Sequence, residues 1–140
     1  TSEIAIGTIF QITLPLPPVT MQPQIKNCLV IDDDKGIRMA WEIKNTQLKI
    51  EHLHIFPNLE GVIASALDLK KIEIAIVDKN ISASLFSGAD TVGYLKAKGI
   101  SKVMMASGEN TDELKQDPTF FQVDGFLQNK IPRTLDELVG

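Results

Sequence analysis

The sequence predicts an α/β domain, built on a doubly wound parallel sheet with helices on both faces. Short apolar runs alternate with longer segments whose apolar residues recur at helical spacing. Several of the short runs are apolar throughout, as is typical of strands that are buried on both faces. The 140 residues, 44% of them hydrophobic and 23% charged, suit one compact domain with its own core. The net charge of −4 gives no basic patch, so we expect no contact with nucleic acid or membrane.

The periodicity assigns five strands and five helices in strict alternation. The strands are predicted over residues 27–31, 49–55, 73–77, 102–106 and 125–128. The helices are predicted over residues 36–47, 58–70, 88–98 and 110–116, and from Pro132 to the end. Five strands that alternate with helices predict a parallel sheet covered on both faces.

The N-terminal part differs from the rest. Residues 1–16 alternate apolar and polar side chains, which predicts a strand or a hairpin. Residues 15–23 are rich in proline, so we assign a linker to residues 17–24 and the main domain to residues 25–140. The single cysteine, Cys28, fits a reducing compartment such as the cytoplasm. Because Thr1 is not a natural start, we expect the chain to be a fragment of a longer protein.

Chemically active side chains follow the predicted strands. Asp32, Asp33 and Asp34 come directly after the first strand, and Asp78 follows the third. Ser107 ends the fourth strand, and the fifth leads to Lys130. Because ligands of open parallel sheets bind beyond the carboxyl ends of the strands, we expect these side chains to converge. As a simpler alternative, Asp32 to Asp34 and Ser107 cap the helices that follow them, Asp78 is a turn residue and Lys130 is a solvated surface lysine.

Clustered carboxylates repel one another, so the predicted cluster needs a cation or bound protons. Oxygen ligands of this kind suit Mg²⁺. Aspartate is also a covalent phosphoryl acceptor in proteins, and Asp78 is placed to act as one. The metal, Lys130 and Ser107 would each then contact one phosphoryl oxygen.

Four motifs resemble those of response-regulator receiver domains, and the resemblance covers residues 25–140. Residues 28–38 (CLVIDDDKGIR) resemble the opening of that family, and residues 74–78 (IAIVD) resemble its phosphoacceptor strand. Residues 103–108 (VMMASG) resemble the strand with the switch hydroxyl, and residues 124–132 (DGFLQNKIP) the strand with the conserved lysine. The resemblance implies a flavodoxin-like (βα)5 fold with strand order 2-1-3-4-5.

The resemblance also implies a role for each site residue. Asp78 would be the phosphoacceptor and a Mg²⁺ ligand, with Asp33 as a direct ligand and Asp32 bound through water. The backbone carbonyl of Asn80 would be the third protein ligand. Ser107 would be the switch hydroxyl and Lys130 the phosphate-binding ammonium. The phosphodonor would be a phosphohistidine on a kinase or a phosphotransfer domain.

The chain departs from the family pattern at several places, two of which concern the loop after Asp78 and the position of the lysine. The segment between Asp78 and Gly88 lacks the usual methionine-proline turn, and it is about two residues longer than is usual in the family. Near the fifth strand, the spacing from Phe126 leaves either Lys130 or Asn129 for the lysine position, and we favour Lys130 because a neutral amide supplies no charge.

Residues 7–15 (GTIFQITLP) carry a second resemblance, to the last strand of a histidine-kinase ATP-binding domain. It implies that the parent protein is a hybrid sensor histidine kinase with a C-terminal receiver. A membrane anchor elsewhere in the parent chain is compatible with this. The rest of an ATP site is absent from this sequence, so we expect the fragment to bind no ATP.

Two other functions are weighed against an active receiver. One is a degenerate receiver that serves as a protein-binding module without phosphorylation. The other is a Mg²⁺-dependent phosphohydrolase, a class that needs a second aspartate where this chain has Asn80.

Overall fold

A computed structural model describes residues 24–79, 81, 84–107 and 115–139 of the chain. The predicted strand segment 1–16 lies outside these residues, as does the linker up to residue 23. Asn80 and most of the predicted helix 110–116 lie outside them as well.

The described part of the chain forms a five-stranded parallel sheet with strand order β2-β1-β3-β4-β5. The strands are β1 (Asn27–Ile31), β2 (His52–Phe56), β3 (Ile74–Asp78), β4 (Lys102–Ala106) and β5 (Gly125–Leu127). β3 is buried along its whole length, as its apolar residues Ile74 to Val77 predict, and the burial includes Asp78 at its end. The predicted α/β fold class and the predicted strand order are therefore confirmed.

Helices cover both faces of the sheet. They are α1 (Lys35–Leu48), α2 (Leu59–Ser65), α3 (Gly88–Ala97) and the C-terminal helix α4 (Asp136–Val139). Alternate side chains of each strand enter two separate cores. One core contains Leu59 of α2 and Leu95 of α3, and the other contains Trp41 of α1 and Leu138 of α4. None of the helices within the described residues is long and apolar enough to cross a membrane.

The second strand begins later than predicted. α1 continues to Leu48, and Lys49 ends it in a left-handed conformation with its N–H bonded to the carbonyl of Asn45. The Asn45 side chain then bonds both the N–H and the carbonyl of Ile50. These contacts hold residues 49–51 outside the strand, which runs from His52 to Phe56 instead of from 49 to 55.

The second and last helices are shorter than predicted. Ala66 is left-handed, with a φ of 58°, and it ends α2 at Ser65. The apolar pattern continues because Leu69, in a separate 3₁₀ turn, is still buried. The last helix begins at Asp136 instead of Pro132, and the Arg133 N–H before it is bonded to the Glu137 carboxylate at 2.9 Å.

Asp124 joins β4 to the loop before β5, and its loss is expected to weaken this side of the sheet. Its Oδ2 accepts hydrogen bonds from the Val103 N–H and from Lys96 Nζ, each at 2.8 Å. Burial alone would raise the pKa of Asp124, but these bonds lower it below its usual range. With the side chain 34% exposed and its charge screened by water, Asp124→Asn should cost about 1 kcal/mol of unfolding free energy at pH 7.

The sign of this effect with pH follows from the lowered pKa. The carboxylate contributes its full stabilisation above the unfolded-state pKa and loses it as the pH falls through the folded-state pKa. Urea melts of the parent and of Asp124→Asn should therefore converge in acid. Asp136→Asn, on the exposed start of α4, is the matched control. A difference from the parent that stays constant down to acid pH would contradict the prediction.

Candidate functional site

Three carboxylates meet at the carboxyl end of the two central strands. β1 leads directly into Asp32 and Asp33, and its neighbour β3 ends at Asp78. One carboxylate oxygen from each residue lies within 4.8 Å of the other two. Asp32 and Asp78 are only 2% and 3% exposed, so this is an acidic cluster in a largely buried position. The sequence placed these acids at the same edge, and the structure brings them together.

Lys130 is the cation that faces the cluster. Its Nζ lies 2.5 Å from Oδ1 of Asp78 and 3.9 Å from Oδ2 of Asp32. Asn129, the other candidate for this position, is exposed. The loop after β5 therefore places the ammonium of Lys130, and not the amide of Asn129, beside Asp78.

The charges in the cluster change one another's protonation. Burial raises the pKa of Asp32 to about 6, and the charges of Asp78 and Asp33 add to the rise, while the Asp34 N–H and Lys130 oppose it. Burial works to lower the pKa of Lys130, but the hydrogen bond and charge of Asp78 outweigh this, so that its pKa is raised. The lysine thus stays protonated beside the acids.

Ser107 lies at the next strand end. Ala106 pairs with Asp78 across the sheet, and Ser107 follows it directly. Ser107 is 3% exposed, and its N–H is bonded to the Leu127 carbonyl at 3.4 Å. Ser107 thus lies at the end of β4, the strand next to the one that carries Asp78. Asn80, the remaining predicted site residue, lies outside the described part of the chain.

The third acid of the run has a different task. Asp34 is the N-cap of α1, and its side chain accepts the N–H groups of Gly36 and Ile37. Its own N–H donates to Oδ1 of Asp32 at 2.9 Å. Arg38 adds a bond from its guanidinium to the Asp32 carbonyl, also at 2.9 Å. The start of α1 therefore orients Asp32 from two sides.

Sequence reasoning missed one residue that touches the backbone of the site. Gly88, the first residue of α3, is buried against the carbonyl groups that follow β3. A Cβ atom at this position would lie 2.5 Å from the carbonyl oxygen of Lys79 and 2.9 Å from that of Asp78. Only glycine allows this approach without movement of the backbone at Asp78. A glycine at the start of a predicted helix was the only signal available.

No protein-family model matches the sequence, and no curated protein is significantly similar to it. Solved structures do match its fold. Chemotaxis protein CheY4 of Vibrio cholerae is 17% identical with a TM-score of 0.63, and the match covers 82% of this chain and 93% of that one. The receiver domain of NtrX from Brucella abortus is 17% identical with a TM-score of 0.63, over 81% and 92% of the two chains. The BeF3-activated DrrB receiver domain is 18% identical with a TM-score of 0.61, over 79% and 89%.

At such low identity the likeness shows the fold. The chain has the fold of CheY-like response-regulator receiver domains, over nearly the full length of the structures named. The acidic cluster lies at the carboxyl edge of the sheet, where ligands of open α/β sheets bind.

Proposed function

We propose that this chain is a receiver domain of a two-component phosphorelay and that Asp78 takes a phosphoryl group from a phosphohistidine. The observation that carries the proposal is the convergence of three carboxylates and one ammonium at the end of β1 and β3. The donor would be a histidine kinase or a phosphotransfer domain. The parent protein would be a hybrid sensor histidine kinase, with this domain on its cytoplasmic side.

The donor set fits Mg²⁺. The cluster offers only oxygen ligands, two of them from buried residues. Burial, together with the charges of Asp78 and Asp33, raises the pKa of Asp32 although Lys130 opposes the rise. A hard divalent cation with several retained waters suits such a site. Asp33 and Asp78 would be direct ligands, together with the Asn80 carbonyl, and Asp32 would act through water. Bound Mg²⁺ would neutralise and orient the phosphoryl oxygens.

The transfer itself needs one nucleophile and no further co-reactant. A carboxylate oxygen of Asp78 attacks phosphorus, and the bond from phosphorus to the donor imidazole nitrogen breaks with its electron pair on that nitrogen. Lys130, already in contact with Asp78, is placed to move its ammonium to a phosphoryl oxygen. The Ser107 hydroxyl, at the neighbouring strand end, would donate to another oxygen.

Phosphorylation would add a charge of about −1.5 to −2 at neutral pH. Lys130 and Ser107 would be drawn towards it, and the loops after β4 and β5 that carry them would shift with them. The chain would catalyse only its own phosphorylation and dephosphorylation, with the signal read by a partner protein.

Intact mass measurement after incubation with acetyl phosphate and Mg²⁺ tests the proposal. We expect the parent chain to gain the mass of one phosphoryl group and Asp78→Asn to gain none. Asp136→Asn makes the same chemical change at an exposed position and should behave like the parent. Mg²⁺ binding without a mass gain in the parent would instead indicate a non-phosphorylated binding module.

A further inference from the structure

The segment between Asp78 and α3 is unusual in sequence, and the structure shows what holds its second half. Ser84, Leu85 and Phe86 lead into α3, and Leu85 is 90% exposed. An exposed leucine contributes little burial energy to fix this stretch. Phe86 packs on the core, and the start of α2 adds polar contacts to Ser84 and Leu85.

Glu60, in the first turn of α2, binds this segment with both carboxylate oxygens. Its Oε1 accepts the Ser84 hydroxyl at 2.6 Å, and its Oε2 accepts the Leu85 N–H at 2.9 Å. Bonds to an ionised acceptor are among the stronger hydrogen bonds in proteins. These bonds from Ser84 and Leu85 lower the pKa of Glu60, so the carboxylate is charged at neutral pH.

A continuous series of contacts leads from Glu60 to the acceptor strand. Ser84 Oγ accepts the Phe86 N–H at 3.1 Å, and Phe86 packs on the core beneath α2 and α3. Ser87 follows as the N-cap of α3, in a reciprocal capping box with Asp90. The next residue is Gly88, which lies against the carbonyls of Asp78 and Lys79. The position of this segment is thereby coupled to the backbone that carries Asp78.

We propose that Glu60 is a positioning residue for the acidic site, acting through Ser84 and Leu85 on the start of α3 and so on the backbone of Asp78. The inference rests on the proposed function, since it concerns the chemistry of the same site. Glu60 is not itself a ligand or a catalytic residue. In its absence the Asp78 backbone is less restrained, and a site that binds a cation and a phosphoryl group loses preorganisation.

Mg²⁺ affinity by calorimetry and the initial rate of phosphoryl uptake from acetyl phosphate test this inference on the full chain. For Glu60→Ala we expect both quantities to fall at least threefold. Ser84→Ala should lower both quantities less, because the Leu85 N–H still donates to Glu60. The double variant should lose less than the sum of the two single losses, because both single changes remove the bond between Ser84 and Glu60. Glu60→Gln keeps one acceptor oxygen and should fall between the parent and Glu60→Ala.

Glu42→Ala is the matched control, because it removes the same charge from an exposed position on α1. All measurements are made at a temperature at which circular dichroism shows every variant folded, so that a merely stabilising role would leave both quantities unchanged. If the parent chain is phosphorylated, and Glu60→Ala and Glu42→Ala give the same Mg²⁺ affinity and the same rate, the inference is wrong. If the parent takes up no phosphate, the proposed function fails in the parent itself, and Mg²⁺ affinity still decides whether Glu60 positions the site. A parent that also fails to bind Mg²⁺ overturns both.

Discussion

Gly88→Ala is expected to lower the unfolding free energy by about 3 kcal/mol, the cost of forcing a methyl group into a packed interior. The new Cβ would meet two backbone carbonyl oxygens, those of Lys79 at 2.5 Å and Asp78 at 2.9 Å. These oxygens belong to the backbone, which is unable to move away from the methyl group as the end of a flexible side chain does. The gain from replacing glycine inside a helix, at most about 1 kcal/mol, is too small to offset this. Thermal and urea melts should show the loss.

Gly93→Ala in the same helix is the matched control. Within the described part of the chain, its Cβ would meet only the end of the exposed Gln122 side chain, at 3.0 Å. This variant should be unchanged or more stable by up to about 1 kcal/mol. Equal stability of Gly88→Ala and Gly93→Ala would show that the start of α3 does not pack closely against the backbone of Asp78 and Lys79.

Lys130→Met is expected to cost about 2 kcal/mol of unfolding free energy at pH 7 without divalent cations. The change keeps an apolar side chain of similar length but leaves Asp78, 3% exposed, without its 2.5 Å hydrogen bond from the ammonium. Removal of one partner from a fully buried ion pair costs about 3–5 kcal/mol, and the 32% exposure of the Lys130 side chain reduces that figure.

The same variant should respond more strongly to Mg²⁺. In the parent the cation competes with the ammonium for the oxygen of Asp78, and in Lys130→Met that competitor is gone. At ten times the dissociation constant, bound Mg²⁺ adds about 1.4 kcal/mol, and at a fixed concentration the variant should gain more than the parent. Asn129→Ala, at the exposed neighbouring position, should behave as the parent. The assignment of Lys130 is wrong if Asn129→Ala, and not Lys130→Met, shows the loss.

The central part of the fold could be predicted from the sequence because its signals are local. β1 from Cys28 to Ile31 and β3 from Ile74 to Val77 are apolar, and each run is followed directly by an acid at the carboxyl edge. Adjacent parallel strands bring their ends together, so the position of Asp32, Asp33 and Asp78 at one edge followed from topology alone. α3 was predicted within one residue at its end from apolar residues at helical spacing.

The features that were not predicted depend on contacts between distant parts of the chain. α2 ends at Ser65 although the apolar pattern continues to Leu69. The end is set by the left-handed backbone of Ala66, and the pattern of apolar side chains contains no sign of it. Glu60 meets Ser84 across 24 residues, and no periodicity signals such a pair. The choice between Lys130 and Asn129 depended on the course of a loop.

Mapping of the phosphoryl group to a single residue tests the central claim most directly. The chain is incubated with acetyl phosphate and Mg²⁺, treated with borohydride to convert acyl phosphate to an alcohol, and sequenced by tandem mass spectrometry. The account predicts homoserine at position 78 and unmodified Asp32 and Asp33. Modification at Asp32 or Asp33 with Asp78 intact, or no modification at all under conditions in which Mg²⁺ binds, would contradict it.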